Sequence, residues 1–337
     1  MLDSEELRSR LSRADTGYYT VEVCRDLSAK LDRINELKLQ RNAVLLAHNY
    51  QRPEVFEVAD FTGDSLGLSM KAATVKEADV IVFCGVHFMA ETAKVVSPDK
   101  IVILPNAKAG CSLADMADAE DVAVRIAELK ITHPDLGVVC YVNTTAAVKA
   151  LCDSVCTSAN ATQVVAALPN KTILFLPDKN LAAHVAGNLP DKEIIAWDGH
   201  CYVHQQINPD SVLSVRAMHP GIKVLVHPEC RDDVVKIADA ALSTSGMVDY
   251  ARSSNATEFL AVTECGLSDL LAVQVPDKKF YRSCKVCRFM KMISLDDIIN
   301  SLETLQPEII LPESVRIGAS RAINRMFELT LPKSANN

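Results

Sequence analysis

Short apolar runs rich in Val, Ile and Leu recur along the chain at 43–47, 80–83, 101–104, 138–142, 172–176, 194–197, 224–226, 259–263 and 271–275. Between them, 64–76, 113–129, 145–151, 161–168, 209–218 and 232–242 carry apolar residues at helical spacing, several with Ser, Thr, Asp or Asn at the start. Continuous apolar strands alternating with amphipathic helices predict small parallel sheets built from crossover units, hence an α/β fold. Two further helices are predicted at 294–305 and 313–329, separated by Gln306-Pro307 and packed back on the first unit.

The alternation repeats. Leu-Pro-Asn-Ala-Lys at 104–108, Leu-Pro-Asp-Lys at 176–179 and Val-Pro-Asp-Lys at 275–278 each close an apolar run, and each is followed by a cysteine. Strand, polar turn and helix also recur at 83–94, 140–149 and 225–236. Cys111, Cys201 and Cys287 lie 90 and 86 residues apart, so three similar units with about three strands each would supply one thiol apiece. Thiols meeting at a pseudo-threefold centre make a metal site with one position unfilled.

Charge and composition narrow the partners. With 337 residues, 49% of them hydrophobic, the chain can bury more than one core. A net charge of -8 provides no basic face, which argues against nucleic acid or an anionic membrane and for a small-molecule substrate. The charged start and the absence of an apolar stretch of about 18 residues predict a cytosolic protein. In that reducing setting the 11 cysteines should be metal ligands or buried apolar residues rather than disulfides.

Polar residues cluster in turns after the predicted strands: His48-Asn49-Tyr50-Gln51, Tyr141-Val142-Asn143, His200 to His204, His227-Pro228-Glu229 and Thr263 to Gly266. In parallel sheets ligands bind at the carboxyl ends of strands, so these turns should line one cavity. His48, His204 and His227 each sit in such a turn, and packing explains three converging imidazoles poorly. Glu229 beside His227 suits proton transfer, although a helix-start acid would look the same. Cys111, Cys201 and Cys287 lie among polar or glycine neighbours and are the best ligand candidates. Cys24, Cys84, Cys140, Cys230 and Cys265 read as buried and inert, and Cys152 with Cys156 as packing. Cys284-Lys-Val-Cys287 by its spacing serves zinc, iron–sulfur clusters or thiol exchange. Ser243-Thr244-Ser245-Gly246 resembles an anion-cradling turn.

In order, Ala-His-Asn-Tyr-Gln (47–51), Phe-Thr-Gly-Asp-Ser-Leu (61–66), Gly-Cys-Ser-Leu-Ala-Asp-Met (110–116), Tyr-Val-Asn-Thr (141–144), Cys-Thr-Ser-Ala-Asn-Ala (156–161), Gly-His-Cys-Tyr-Val-His (199–204), His-Pro-Glu-Cys (227–230) and Met-Lys-Met-Ile (290–293) resemble the quinolinate synthase family over roughly residues 40–330. The resemblance implies three pseudo-symmetric αβα three-layer domains around a central [4Fe-4S] cluster: 1–112 with 288–337, 113–200 and 201–287. It implies Cys111, Cys201 and Cys287 as the metal ligands, with the remaining iron a Lewis acid. It implies condensation of iminoaspartate with dihydroxyacetone phosphate to quinolinate, with loss of phosphate and two waters, in de novo NAD biosynthesis. A transient contact with L-aspartate oxidase, as iminoaspartate supplier, would accompany that role.

By motif, His48, Tyr50, Tyr141, His227 and Glu229 would be catalytic. His48, Ser65, Tyr141, Asn143, Ser158, His204, His227, Glu229, Ser243 and Thr244 would bind substrate. Two positions depart from the family: Leu242 stands where many relatives have glycine, and Tyr281 where some have a third cysteine, so that Cys284 is left to form a disulfide with Cys287 on oxidation. A zinc enzyme with three cysteine ligands and a noncatalytic iron–sulfur redox or sensor protein are the competing readings.

Overall fold

The computed structural model describes residues 3–15 and 17–330, so the end of the expected span 288–337, residues 331–337, lies outside the described residues. Twelve strands form three separate sheets of four. The first holds β1 (Ala43–His48), β2 (Phe61–Gly63), β3 (Val80–Cys84) and β4 (Ile101–Ile103). The second holds β5 (Gly137–Tyr141), β6 (Ser154–Cys156), β7 (Thr172–Leu176) and β8 (Glu193–Ala196). The third holds β9 (Lys223–Val226), β10 (Ala240–Ala241), β11 (Glu258–Val262) and β12 (Lys279–Arg282). Each sheet is wholly parallel and has the same spatial order, second strand, first, third, fourth. A helix links each pair of successive strands, so the fold is one α/β unit in three copies.

The apolar run of each central strand is explained by its burial: all of β3 and β5, all but the first residue of β7, β9 and β11, and the last four residues of β1 are buried. Three strands per unit had been expected, and the fourth escaped for a physical reason. β2, β6 and β10 have two or three residues, and β12 is Lys-Phe-Tyr-Arg, an edge strand half exposed to water. The apolar run 271–275 belongs instead to a helix, Cys265–Gln274, with Leu267, Leu270 and Leu271 buried. The helix expected over 232–242 stops at Val235, before β10. That over 113–129 begins as a short turn of 3-10 helix and becomes α-helix at Ala119.

The repeats also align differently. The proline–lysine segments fall after β4, after β7 and before β12, which are three different places in the unit. The segment 83–94 follows a third strand, whereas 140–149 and 225–236 follow first strands. Every parallel strand here is followed by a polar turn and a helix, so sequence alone slides one copy against another. The register comes from strand pairing: Ala47 opposes Cys84, Cys140 opposes Leu176 and Val226 opposes Val262.

The terminal helices divide between units. Leu295–Thr304 packs on the N-terminal helix Val21–Gln40, as expected, and the Arg41 side chain bonds the carbonyls of Leu302 and Glu303. The last helix, Glu313–Thr330, lies instead along the second unit. Gly318 allows this: a Cβ there would come within 2.7 Å of the Ala150 Cβ. No helix among the described residues is long and apolar enough to cross a membrane.

Candidate active site

Parallel strands all present their carboxyl ends to one side, and the three units turn that side toward a shared cavity. Two residues, i and i+2, reach it from the end of each first strand: His48 and Tyr50, Tyr141 and Asn143, His227 and Glu229. The turn after each second strand adds one hydroxyl, Ser65, Ser158 or Thr244. The loop after each fourth strand adds one thiol, Cys111, Cys201 or Cys287, and His204 joins from the turn of helix after Cys201. A cavity of about 60 Å³ lies between them. Of the residues singled out by motif, Ser243 alone is not part of the wall. It caps the helix Thr244–Ser253, accepting the Gly246 N–H and donating to Asp64 Oδ2 at 2.9 Å, and so sets the position of Thr244. The hydroxyls expected to cradle an anion are thereby partly used: Ser245 Oγ receives the Asp64 N–H at 3.0 Å and the Asn49 amide at 3.3 Å.

The wall is stitched across units. Tyr141 donates to Glu229 Oε1 at 2.5 Å, Tyr50 and Thr263 hydroxyls meet at 2.5 Å, Ser158 Oγ lies 3.2 Å from His227 Nε2, and Asn49 donates to Thr244 at 3.0 Å. His204 stacks on His227 with ring centres 4.8 Å apart, and its Nδ1 is 2.9 Å from Glu229 Oε2. Burial, reinforced at His48 by the neighbouring His227, holds both His48 and His227 at about 3, so their rings are neutral. Burial opposes the charge of Glu229 too, but His204 and the Tyr141 hydroxyl outweigh it and keep the carboxyl well below the usual range. Burial and that same carboxylate push Tyr50 and Tyr141 upward, so both stay phenols, able to donate.

The three thiols share one setting. Burial pushes Cys111 up to about 12 and raises Cys201 and Cys287. Backbone N–H groups just beyond each sulfur act the other way and favour the thiolate: those of Leu113 and Ala114 for Cys111, His204 for Cys201, Phe289 and Met290 for Cys287. N–H groups aimed at sulfur favour the thiolate form a metal requires, while burial keeps the thiols protonated until one is present. This donor set fits an iron–sulfur cluster. Cys201, His204 and Glu229 form another group, with one ligand atom of each within 4.8 Å of the others.

Two buried acids that sequence reasoning passed over position these cysteines. Asp178 receives the Cys201 N–H at 3.1 Å and the Leu181 N–H at 2.7 Å. Glu264 receives the Cys287 N–H at 3.0 Å and the Gly266 N–H at 2.6 Å. The Pro-Asp-Lys segment at 176–179 contained the signal for the first. Gly199 lets the Cys201 loop approach β7, since a Cβ there would collide with the Pro177 carbonyl oxygen. The disulfide differs from expectation as well: Cys284 is bonded to Cys265, not Cys287. Glu264 bridges Lys285 in parallel, which sets the two Cα atoms 5.1 Å apart and leaves Cys287 free on the cavity wall. Cys265 is therefore not the inert packing residue it resembled.

The chain is similar to proteins of one family. The family model described as quinolinate synthetase A protein matches residues 32–328. The quinolinate synthase of Pelobacter propionicus is 50% identical over 298 residues, covering 88% of this chain and 96% of its own length. Those of Methanosarcina barkeri and Thermodesulfovibrio yellowstonii are 48% and 49% identical, each covering 89% of this chain and 98% of its own length.

Proposed function

The chain belongs to the quinolinate synthetase A family, and we propose that it is a cytosolic enzyme condensing iminoaspartate with dihydroxyacetone phosphate to quinolinate, releasing phosphate and two waters, for de novo NAD biosynthesis. The observation that carries the reading is the convergence of three thiols, one per unit, on a cavity that also holds Tyr141, Glu229 and neutral His48 and His227. A [4Fe-4S] cluster held by Cys111, Cys201 and Cys287 would supply a Lewis-acidic iron lacking a protein ligand.

The protein's own groups supply binding and proton movement. Glu229, ionised and bonded to the Tyr141 phenol, is the base that removes a substrate proton, and Tyr141 is its partner donor. Tyr50 donates from the opposite wall. Neutral His48 and His227 hydrogen-bond ligand oxygens without adding a second buried charge. Ser65, Asn143, Ser158 and Thr244, with His204, present hydroxyl, amide and imidazole groups to the carboxylates and phosphate, and Ser243 acts through the helix cap. Delivery of iminoaspartate by transient contact with L-aspartate oxidase completes the reading.

Anaerobically purified protein should be brown, with about four irons and four sulfides per chain, and should form quinolinate from the two substrates. Cys111→Ser, Cys201→Ser and Cys287→Ser should each lose most of the iron and at least about 99% of the activity, as expected for loss of a metal ligand. Cluster-loaded wild type that makes no quinolinate refutes the reading. Colourless protein with one tightly bound zinc, held by the three cysteines, replaces it with the zinc alternative.

A further inference from the structure

One residue of the sequence motifs has no part in the reaction described above. In Met290-Lys291-Met292-Ile293 the side chain of Met290 lines the cavity, whereas Lys291 turns away from it and edges a separate surface hollow with Arg52, Glu54 and Asp269. Its ammonium donates to the Tyr50 carbonyl at 2.5 Å and the Gln51 carbonyl at 3.4 Å, and lies 3.5 Å from Glu264 Oε2. An ammonium has three donors and no acceptor, which matches those three oxygens. Arg52 returns the contact, its guanidinium donating to the Lys291 carbonyl at 2.9 and 3.0 Å. Lys291 is thus tied to the Tyr50 turn through both its side chain and its backbone. The node has no spare room: a Cβ at Gly266 would come within 2.7 Å of Lys291 Nζ, the Tyr50 oxygen and Glu264 Oε2 alike.

The ammonium joins two parts of the site that different units supply. Tyr50 follows β1 of the first unit, and Glu264 follows β11 of the third, where its other oxygen receives the Cys287 N–H at 3.0 Å. The turns after the other first strands also have a carbonyl held by a side-chain nitrogen, Thr144 by Lys149 and Glu229 by Asn180 at 3.0 Å. Lys291 adds to this the contact with an acid that holds a cysteine. We propose that Lys291 is a positioning residue that fixes the Tyr50 turn against the Cys287 loop, so that the phenol and the cluster keep one separation. This rests on the reaction proposed above, in which Tyr50 donates to the substrate. The turn cannot swing outward without taking its carbonyls from a largely buried charge, which is costly. The same ammonium opposes the protonation that burial favours at Glu264, and an ionised Glu264 grips the Cys287 N–H more strongly than a neutral acid would.

The test is Lys291→Met in the cluster-loaded enzyme, alone and combined with Glu264→Gln. Methionine keeps an unbranched chain and removes the charge and its donors. Alone it should lower kcat roughly ten- to hundredfold, the cost of losing hydrogen bonds to a charged group, with KM within about twofold. Loss of the cluster to a chelator should accelerate at least about fivefold. Added to Glu264→Gln, Lys291→Met should change cluster loss by less than about twofold, because its hold on Cys287 passes through that carboxylate. It should still lower kcat, because its hold on Tyr50 does not. Wild-type turnover or wild-type cluster retention in Lys291→Met overturns the proposal, as do effects of the two substitutions on cluster loss that simply multiply. An anaerobic crystal structure of the wild-type holoenzyme supplies a readout independent of turnover and of how well the variants fold. Lys291 Nζ within hydrogen-bond reach of the Tyr50 carbonyl and the Glu264 carboxylate supports the proposal, and an ammonium turned to solvent ends it. Wild type that makes no quinolinate refutes the reaction instead, and cluster loss then judges the coupling.

Discussion

The second and third units aim their cysteine with the same device, and the first does not. After β7 and β11 comes a buried acid, Asp178 or Glu264, with one carboxylate oxygen on the helix start and the other on the N–H of Cys201 or Cys287. At the corresponding place after β3 stands Val86, which caps its helix with no side chain, and the Cys111 loop is held instead by the His87 N–H on the Ala109 carbonyl at 2.8 Å and by a local Asn106 turn. A common topology delivers three sulfurs to one place. The means of holding each sulfur still is separate, and in two units it depends on a long-range hydrogen bond to a buried charge. The two acids differ in turn: burial pushes both carboxyls upward, but Lys291, 3.5 Å from Glu264, opposes the rise, whereas the charge of Glu229 adds to it at Asp178.

The largest break in this comparison should come from Gly199→Ala. The new methyl meets backbone, which cannot yield as a side chain would, so the Cys201 loop must move. Iron content after anaerobic reconstitution should fall at least about tenfold, with the far-ultraviolet circular dichroism unchanged. Retained iron would mean that the close approach to Pro177 is incidental.

Next come the acids. Glu264→Gln and Asp178→Asn each leave a buried N–H facing an amide, a loss of about 1–3 kcal/mol, or roughly five- to hundredfold. Cluster loss to a chelator, followed by the decay of the brown absorbance, should accelerate within that range. Glu264→Gln should be the more severe, because it also strips Lys291 of its charge partner, whereas Asp178→Asn relieves repulsion with Glu229. The control in the first unit, Asn106→Ala, should change the rate by less than about threefold, since it removes a local turn bond and one 3.3 Å bond to the Met292 carbonyl but no buried carboxylate. Equal effects at all three sites would erase the distinction between units.

A smaller effect separates the units by pH. The first strands of the first and third units end in His48 and His227, the second in Tyr141. Both histidines are held at about 3 against an ordinary value of 6.5, so the unfolded chain binds protons that the folded one refuses. Their neutral burial is compatible with the fold above 6.5, and stability is lost as pH falls from 6.5 toward 3. The melting temperature of the cluster-free protein should drop across that window. His48→Gln and His227→Gln should each flatten the slope.

Much of the fold and of the site was legible in the sequence because its causes are local. Buried parallel strands must be apolar along their whole length, as at 138–142 and 172–176, and polar residues gather where those strands end. His48, Tyr141 and His227 could therefore be assigned to one cavity before any packing was known, and the even spacing of Cys111, Cys201 and Cys287 gave one thiol to each unit. The edge strand 279–282, with a charged residue at each end, carried no such signal, and the run 271–275 looked alike as strand or helix. What remained belonged to the tertiary structure because it joins residues far apart in sequence. Strand pairing set the true register of the repeats, and the neighbouring ends of β11 and β12 chose Cys265 as the partner of Cys284. The small surface at Gly318 brought the last helix to the second unit. The two positioning acids acquire their meaning only from partners that folding brings within about 3 Å, a proximity that no local pattern of residues encodes.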